Sequence, residues 1–488
     1  MGFAQDRTAP VVNTRSGPIR GVIEGDLAVF KGVPYAAPPV GPLRWRPAQP
    51  HRGWSGTLDA TAYGPSAPQA VREDDPILGG HGLPPFDEDC LTLNVWTPAT
   101  DDARRPVLVW IHGGAFISGS GAMPNYSGET FARNGDLVVV NLNYRLGPLG
   151  LLSFASDDGA GRGNLWLTDQ LAALRWVQDN IAAFGGDPGN VTVAGQSAGA
   201  LSTAALAGHG ADGPLFRRAV LQSLPLAMPL ATPAESRART AAYLEIVGAK
   251  DEDELRRVPW PRLVEATAGL LAATTQWGHW TAPFMPVLDA GTAARQPALN
   301  LLDGPGADID VLIGWTGEES AFAFALGGAY ASATGEQVLR RARDSFGDGA
   351  AAAYAAYEAA RPDARPIDVL IDLTTDELFR KPTLEFAEAR AARDRPVWAY
   401  EFAYRTPAHD GRLGAPHCLD LPFVFDNFDK WSHAPFLAGM DTGSRDGLAR
   451  TVHRAWISFV RTGDPNHPAM PRWDRYDRLS RTVMRFDA

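Results

Sequence analysis

One stretch, "FGGDPGNVTVAGQSAGALSTAALAG" at 184–208, constrains the fold more than any other part of the chain. Val191, Thr192 and Val193 are residue types that fit a buried, pleated strand. The serine that follows, Ser197, is crowded by Gly195, Ala198 and Gly199, and such small residues let a backbone turn where bulkier ones would clash. The Ala-rich run behind them reads as a helix. Strand, forced turn, helix is the layout of a nucleophile elbow, in which a serine hydroxyl is held up at the end of a sheet. A bare G-x-S-x-G pattern is common, and a serine between glycines is often no more than a tight turn, so its surroundings must carry the argument.

A serine hydroxyl is a weak nucleophile until a base takes its proton, and the oxyanion formed on attack needs donors. A donor loop is legible in "VLVWIHGGAF" at 107–116, where His112-Gly113-Gly114-Ala115 ends an apolar strand. Residues without bulk let backbone N–H groups point into a cavity, as the HGGG-type loop of lipases and esterases does.

The texture around these motifs indicates one large α/β unit. The first hundred residues read as short strands and turns of alternating polarity, an antiparallel beginning. "RPVLVWIHGG" and "DLVVVNLNYRL" are continuous apolar strands, expected where both sheet faces are covered. "LTDQLAALRWVQDNIAAFGG" has apolar residues at 167, 171, 174, 177 and 181, a helical stripe closing on Gly185 and Gly186. Strand, helix, strand in that rhythm implies a mostly parallel sheet. From about 225 to 380 the pattern is largely helical, broken by "WGHWTAPFMPVLDAG" and by a strand at "DIDVLIGW". A strand "RPVWAYEF" and a helix "GLARTVHRAWISFVRTG" ending near Gly463 follow. The stretches "AAAYAAYEAARPDARP" and "FAEARAARD" read as surface helices. No repeat or low-complexity linker appears, so residues 1–488 read as a single domain.

Composition narrows the partners. The net charge of −11, from 45 Lys+Arg against 56 Asp+Glu, argues against nucleic acid or an anionic membrane as partner. The four lysines against many arginines, with abundant Ala and Gly, look like a GC-rich bacterial coding bias. No apolar run is long enough to span a bilayer. The opening "MGFAQDRTAPVVNTRSG" has neither the basic start nor the apolar stretch of a secretory signal, and Asp6 is wrong for myristoylation. The expected location is the cytoplasm.

The chain resembles the type B carboxylesterases of the α/β-hydrolase superfamily. Both signature regions are legible, "EDCLTLNVW" at 88–96 and "FGGDPGNVTVAGQSAG" at 184–199, and "FKGVPYAAPPVGPLRWRP", "NYRLGPLG", "LFRRAVLQS", "GAPHCLDLPFVF" and "WISFVRTGDPN" also match. Within the family, "YGPSAPQ" and "PILGGHGLPPFDEDCLTLN" are most similar to actinobacterial hydrolases of the phenmedipham (carbamate) type. The resemblance implies an α/β-hydrolase fold: a large, mostly parallel central sheet flanked by helices, with antiparallel N-terminal strands and helical insertions over the active site.

It also implies a triad in the order Ser, acid, His. "LIGWTGEESAFAF" marks Glu319 as the acid, with Glu318 its local rival and Ser320 standing where the family usually has glycine. Of the five histidines beyond Glu319, only His417 precedes the family's "LPFVF". Ser197 would attack an ester carbonyl, His417 would take and return the proton, and Glu319 would orient the imidazole. Backbone amides of Gly114, Ala115 and Ala198 would bind the oxyanion, Gly113 would shape their loop, and Ser223 would support the acid from behind. Arg44 with Glu88, and Arg145 with Asp169, resemble buried structural ion pairs of the family. Trp277, Trp280 and Phe284 in "QWGHWTAPF" either line an acyl pocket or pack the core. The chemistry implied needs neither metal nor cofactor.

Departures from the family narrow the reading. Ala67 stands where secreted members have the cysteine that pairs with Cys90, so Cys90 and Cys418 are expected free, which suits a reducing compartment. The loop at 71–87 has no tryptophan, which disfavours choline esters. Trp166 replaces a usual glycine. The expected function is a serine esterase for small to medium apolar carboxylic esters, with a carbamate or anilide hydrolase as variant. Its partner would be the small-molecule ester or carbamate itself, and the chain a monomer or homodimer. A non-catalytic adhesion module like the neuroligins would have lost the nucleophile, and a secreted lipase would carry a signal and disulfides.

Overall fold

The computed structural model describes residues 9–70, 75–79, 82–154, 163–210 and 214–487. The opening residues read for a leader, and part of the 71–87 loop, lie outside these.

The apolar strands assemble into one ten-stranded sheet in the spatial order Val22–Glu24, Leu27–Pro34, Thr92–Thr97, Val138–Leu142, Arg105–Ile111, Gly186–Gln196, Arg218–Gln222, Asp310–Thr316, Val397–Phe402, Val483–Phe486. The first four pair antiparallel, and every pairing from Val138–Leu142 onward is parallel. The strand period of two sorts the residues between two cores. Val107, Val109, Ile111, Val191, Val193, Ala219, Leu221, Val311 and Ile313 face one, and Leu108, Trp110, Ala194, Val220 and Leu312 the other. Burial of both faces is why these strands carry no polar alternation. A separate three-stranded sheet joins Val11–Thr14, Gly17–Arg20 and Leu58–Asp59.

The helical stripe behaves as its spacing requires. Leu165–Asn180 continues into a 3-10 turn and ends at Gly185 (φ 79°), with Leu167, Leu171, Leu174, Val177 and Ile181 all buried. Helix Thr442–Thr462 stops on Gly463 (φ 82°), whose N–H reaches the carbonyl of Phe459. The segment 225–380 is helical on both sides of strand Asp310–Thr316, which itself lies inside the sheet. Its later part builds a small core of Ala321, Phe324, Val338, Ile367, Val369, Leu370 and Ile371.

One expectation fails. The helix Lys381–Ala391, within which "FAEARAARD" begins, is not a surface helix: Phe386, Ala387 and Arg390 are buried. The Arg390 guanidinium is spent on main-chain carbonyls of Leu301, Ile309 and Pro396, so a charge that patterns as solvated is a buried tie. Arg145 and Asp169 form a buried pair (Nε–Oδ2 2.8 Å), and Arg44 and Glu88 a nearly buried one (2.7 Å). Cys90 and Cys418 are buried free thiols. Among the described residues no helix is long and apolar enough to cross a membrane, and no cluster of three His, Cys, Asp or Glu side chains is placed to hold a metal.

Candidate active site

The turn at the end of strand Gly186–Gln196 forces Ser197 into φ 57°, ψ −121°, a conformation that side-chain-bearing residues rarely hold. Its neighbours make that possible. A Cβ on Gly195 would stand 2.4 Å from the Gly199 carbonyl carbon, and one on Gly199 would stand 2.1 Å from the Ile111 oxygen. The Ser197 N–H donates to the Gln222 carbonyl (2.9 Å), tying the elbow to the next strand. Residues 191–196 and 198–200 are buried, and Ser197 alone among 191–200 is partly exposed.

The loops after strands Asp310–Thr316 and Val397–Phe402 bring acid and base together. Glu319 Oε2 lies 2.5 Å from His417 Nδ1, with the carboxylate fully buried and the imidazole nearly so. Glu319 Oε1 accepts the Thr316 N–H (2.8 Å). Since Nδ1 faces a carboxylate, it carries the proton in the neutral ring, and the lone pair is on Nε2. That lone pair meets the side-chain amide nitrogen of Gln196 at 2.9 Å. Ser197 Oγ makes no hydrogen bond to a described residue. The rival Glu318 faces elsewhere: it accepts the Ala415 N–H (2.7 Å), pairs with Arg405 and so ties down the loop that carries His417.

The donor loop is packed against the elbow, where a Cβ on Gly113 would lie 2.7 Å from the Gln196 carbonyl oxygen and 3.3 Å from Ser197 Cβ. Gly114 (φ 106°), Ala115 (φ 52°) and Phe116 (φ 59°) turn the chain so sharply that the amides of Gly114, Ala115 and Ala198 find no acceptor among the described residues. Two of these unpaired N–H groups lie in the loop packed on the elbow and one opens the helix that follows Ser197, and each is free to donate to an oxygen. Ala115 is exposed, so its methyl group has room. His112 shapes this loop: it stacks on Tyr144 (4.5 Å, 15°) and its Nδ1 meets the Gly113 carbonyl at 2.8 Å. Burial lowers its pKa to about 4, so it stays neutral.

The three aromatic candidates separate. Trp280 stands over His417 (5.4 Å), its indole N–H donating to Ser320 Oγ (3.0 Å). Ser320, in place of the usual glycine, therefore anchors a wall of the site. Trp277 packs with Tyr330 in the small helical core, and Phe284, 1% exposed, packs on Tyr243 in the main core. Trp166 is also core, buttressing Phe116 just beyond the donor loop (4.8 Å). Ser223 does not support the acid. Its N–H donates to the Gly314 carbonyl, and its buried Oγ has no partner among the described residues.

Sequence reasoning missed four neighbours of the imidazole. Phe322 (5.8 Å) and Phe379 (5.6 Å) complete its aromatic walls, Phe379 from a π-helical turn, Asp376–Arg380. Gln196 caps Nε2. Asp420, three residues after His417, is a second buried carboxyl whose Oδ2 accepts from Gln222 (2.8 Å) and Tyr400 (3.2 Å). Burial pushes its pKa up to about 6, the Gln222 bond opposing and the Glu319 charge adding. Adjacency to Ser197 and His417 was the available signal for the two polar residues; nothing in the periodicity pointed to the aromatics.

A family model described as "Carboxylesterase family" matches residues 8–488. The chain is 50% identical over 470 residues to phenmedipham hydrolase of Pseudarthrobacter oxydans, covering 96% of this chain and 93% of that protein. It is 36% identical over 493 residues to para-nitrobenzyl esterase of Bacillus subtilis, covering 99% and 95%. Of solved structures, the Geobacillus stearothermophilus carboxylesterase Est55 superposes with a TM-score of 0.86 at 36% identity, over 98% of this chain and 96% of that one. A PNB esterase gives 0.85 at 37%, with the same coverage.

Proposed function

The chain belongs to the carboxylesterase family, and from that premise we propose that it hydrolyses small to medium apolar carboxylic esters through an acyl-enzyme on Ser197. The observation that carries this reading is the strained, partly exposed Ser197 at an elbow whose preceding residue, Gln196, meets an imidazole oriented by a buried carboxylate, with three unpaired amides in the elbow and in the loop packed on it. Ser197 Oγ attacks the ester carbonyl as His417 Nε2 takes its proton. The carbonyl oxygen becomes an anion facing the amides of Gly114, Ala115 and Ala198, each worth roughly 3–4 kcal/mol of transition-state stabilisation. The imidazolium then returns the proton to the departing alcohol, and water repeats the cycle on the acyl-enzyme. Glu319 keeps the proton of the resting ring on Nδ1 and stabilises the imidazolium. Trp280, Phe322 and Phe379 give the imidazole an apolar shell, which strengthens these interactions and suits an apolar substrate.

A second reading, carbamate hydrolysis at the same serine, is favoured by the 50% identity to phenmedipham hydrolase. The chemistry differs only in the carbamoyl-enzyme that replaces the acyl-enzyme. A panel of p-nitrophenyl esters of graded acyl length, aryl carbamates and anilides, assayed with wild type and Ser197→Ala, tests both. Wild type should turn over the short and medium esters and the variant none; turnover by the variant would remove the serine mechanism, and carbamate turnover at the ester rate would promote the second reading.

A further inference from the structure

Resting on the Ser197–His417–Glu319 reading, we propose that Gln196 is a positioning residue that caps the general base: its amide occupies the Nε2 lone pair of His417 in the free enzyme and turns over to accept from the imidazolium when Ser197 reacts. The geometry is direct. With the Nδ1 proton committed to Glu319, Nε2 has one lone pair, and the Gln196 amide nitrogen holds it at 2.9 Å while Ser197 Oγ bonds nothing. Gln196 is 1% exposed, so water does not compete for its amide. Its side chain is wedged between three parts of the site. A Cβ on Gly113 would lie 2.9 Å from Gln196 Oε1, the Cys418 thiol lies beside the same side chain, and the main chain of Gln196 leads directly into the nucleophile.

Two donors, the amide and the serine hydroxyl, therefore compete for one acceptor. The amide donor holds the neutral ring and its free lone pair in one orientation. Once Nε2 has taken the serine proton, a facing NH2 group would repel it. Glutamine resolves this because one planar group carries both donor and acceptor, so a half-turn about its last torsion presents Oε1 to the new N–H. Glutamate would only accept and would hold the imidazolium in the free enzyme; methionine would do neither.

The other titratable groups facing His417 are Glu319 from the preceding loop and Asp420 and Cys418 on its own segment, with Tyr400 and Asp75 beyond them. Trp280, Phe322 and Phe379 cover the ring without charge, and the donor loop contributes only the neutral His112. Among the described residues, Gln196 is the one whose side chain hydrogen-bonds Nε2.

The test is the acidic limb of kcat/KM against pH for p-nitrophenyl butyrate, in wild type, Gln196→Met and Gln196→Glu. The limb should move to higher pH by about one unit or more in Gln196→Glu, with activity recovering as pH rises, because a carboxylate only accepts; Gln196→Met, which neither donates nor accepts, should lower kcat with KM little changed. Limbs that coincide in all three proteins, whatever the change in rate, overturn the proposal, as does a downward shift in Gln196→Glu. Stoichiometric labelling of the active site by an organophosphate, lost in Ser197→Ala, is run alongside; failure to label sinks the serine reading itself and is thereby told apart from failure of the cap.

Discussion

Glu319 and His417, brought from loops behind two neighbouring strands, meet at 2.5 Å with the carboxylate fully buried and its second oxygen held by the Thr316 N–H. A carboxylate so enclosed has no water to fall back on, so its charge is committed to one ring nitrogen. That fixes the tautomer, and the tautomer decides that Nε2 is the atom able to accept a proton.

Glu319→Gln should therefore lower kcat by about 10³–10⁴-fold, because an amide in that place permits the wrong tautomer. Glu318→Gln should cost about tenfold or less, since Glu318 acts only through the Ala415 N–H and Arg405 on the loop that carries the histidine. Steady-state kinetics on the two variants settle the assignment: a larger loss at Glu318 would reassign the acid.

Ser197→Ala should reduce turnover by about 10⁴-fold or more while unfolding near the wild-type temperature, since the hydroxyl binds no described residue. The backbone at φ 57°, ψ −121° gives a second, independent expectation. Ser197→Gly removes a strain of about 1–3 kcal/mol at the expense of a more disordered unfolded chain, so it should melt above Ser197→Ala. Equal melting temperatures would mean that the elbow stores no strain.

What was legible in the chain was what local sterics or strand burial dictate. Gly195 and Gly199 announce the elbow because no side chain fits there, and Val107 to Ile111 announce a central strand because both faces need apolar residues. Glu319 and His417 were legible only through the resemblance, since neither periodicity nor charge distinguishes them from Glu318 or His453. Phe322 and Phe379 escaped because they converge on the imidazole from separate helical segments, one of them a π-turn whose register no simple pattern encodes. Arg390 was misread because helical charge spacing does not reveal that a guanidinium ends on three carbonyls.

The buried pair of Arg145 and Asp169 should report on folding and leave the chemistry alone. Arg145 is tied to Asp169 and to the Arg46 carbonyl, and both side chains are almost fully buried. Arg145→Met strands the carboxylate and should cost about 3–5 kcal/mol in urea unfolding, whereas Arg145→Met with Asp169→Leu should recover much of that loss. If the double replacement were as unstable as the single one, the hydrogen bonds rather than the stranded charge would set the cost.

Two buried groups make stability depend on pH in opposite senses. His112, its pKa lowered to about 4 by burial, contributes stability that is full above the unfolded value of 6.5 and is lost as pH falls toward 4. Asp420, raised from 3.8 to about 6, does the reverse: its contribution is full below 3.8 and is lost as pH rises through 6, because folding then encloses a charge. At 1.36 kcal/mol per unit, that enclosed charge costs up to about 3 kcal/mol at pH 8. Asp420→Asn keeps an oxygen for Gln222 and Tyr400 while removing the ionisation. The melting temperature of Asp420→Asn relative to wild type should accordingly climb between pH 4 and pH 7 and level off above. A difference that stays flat across that range would show that Asp420 does not titrate there in the folded protein.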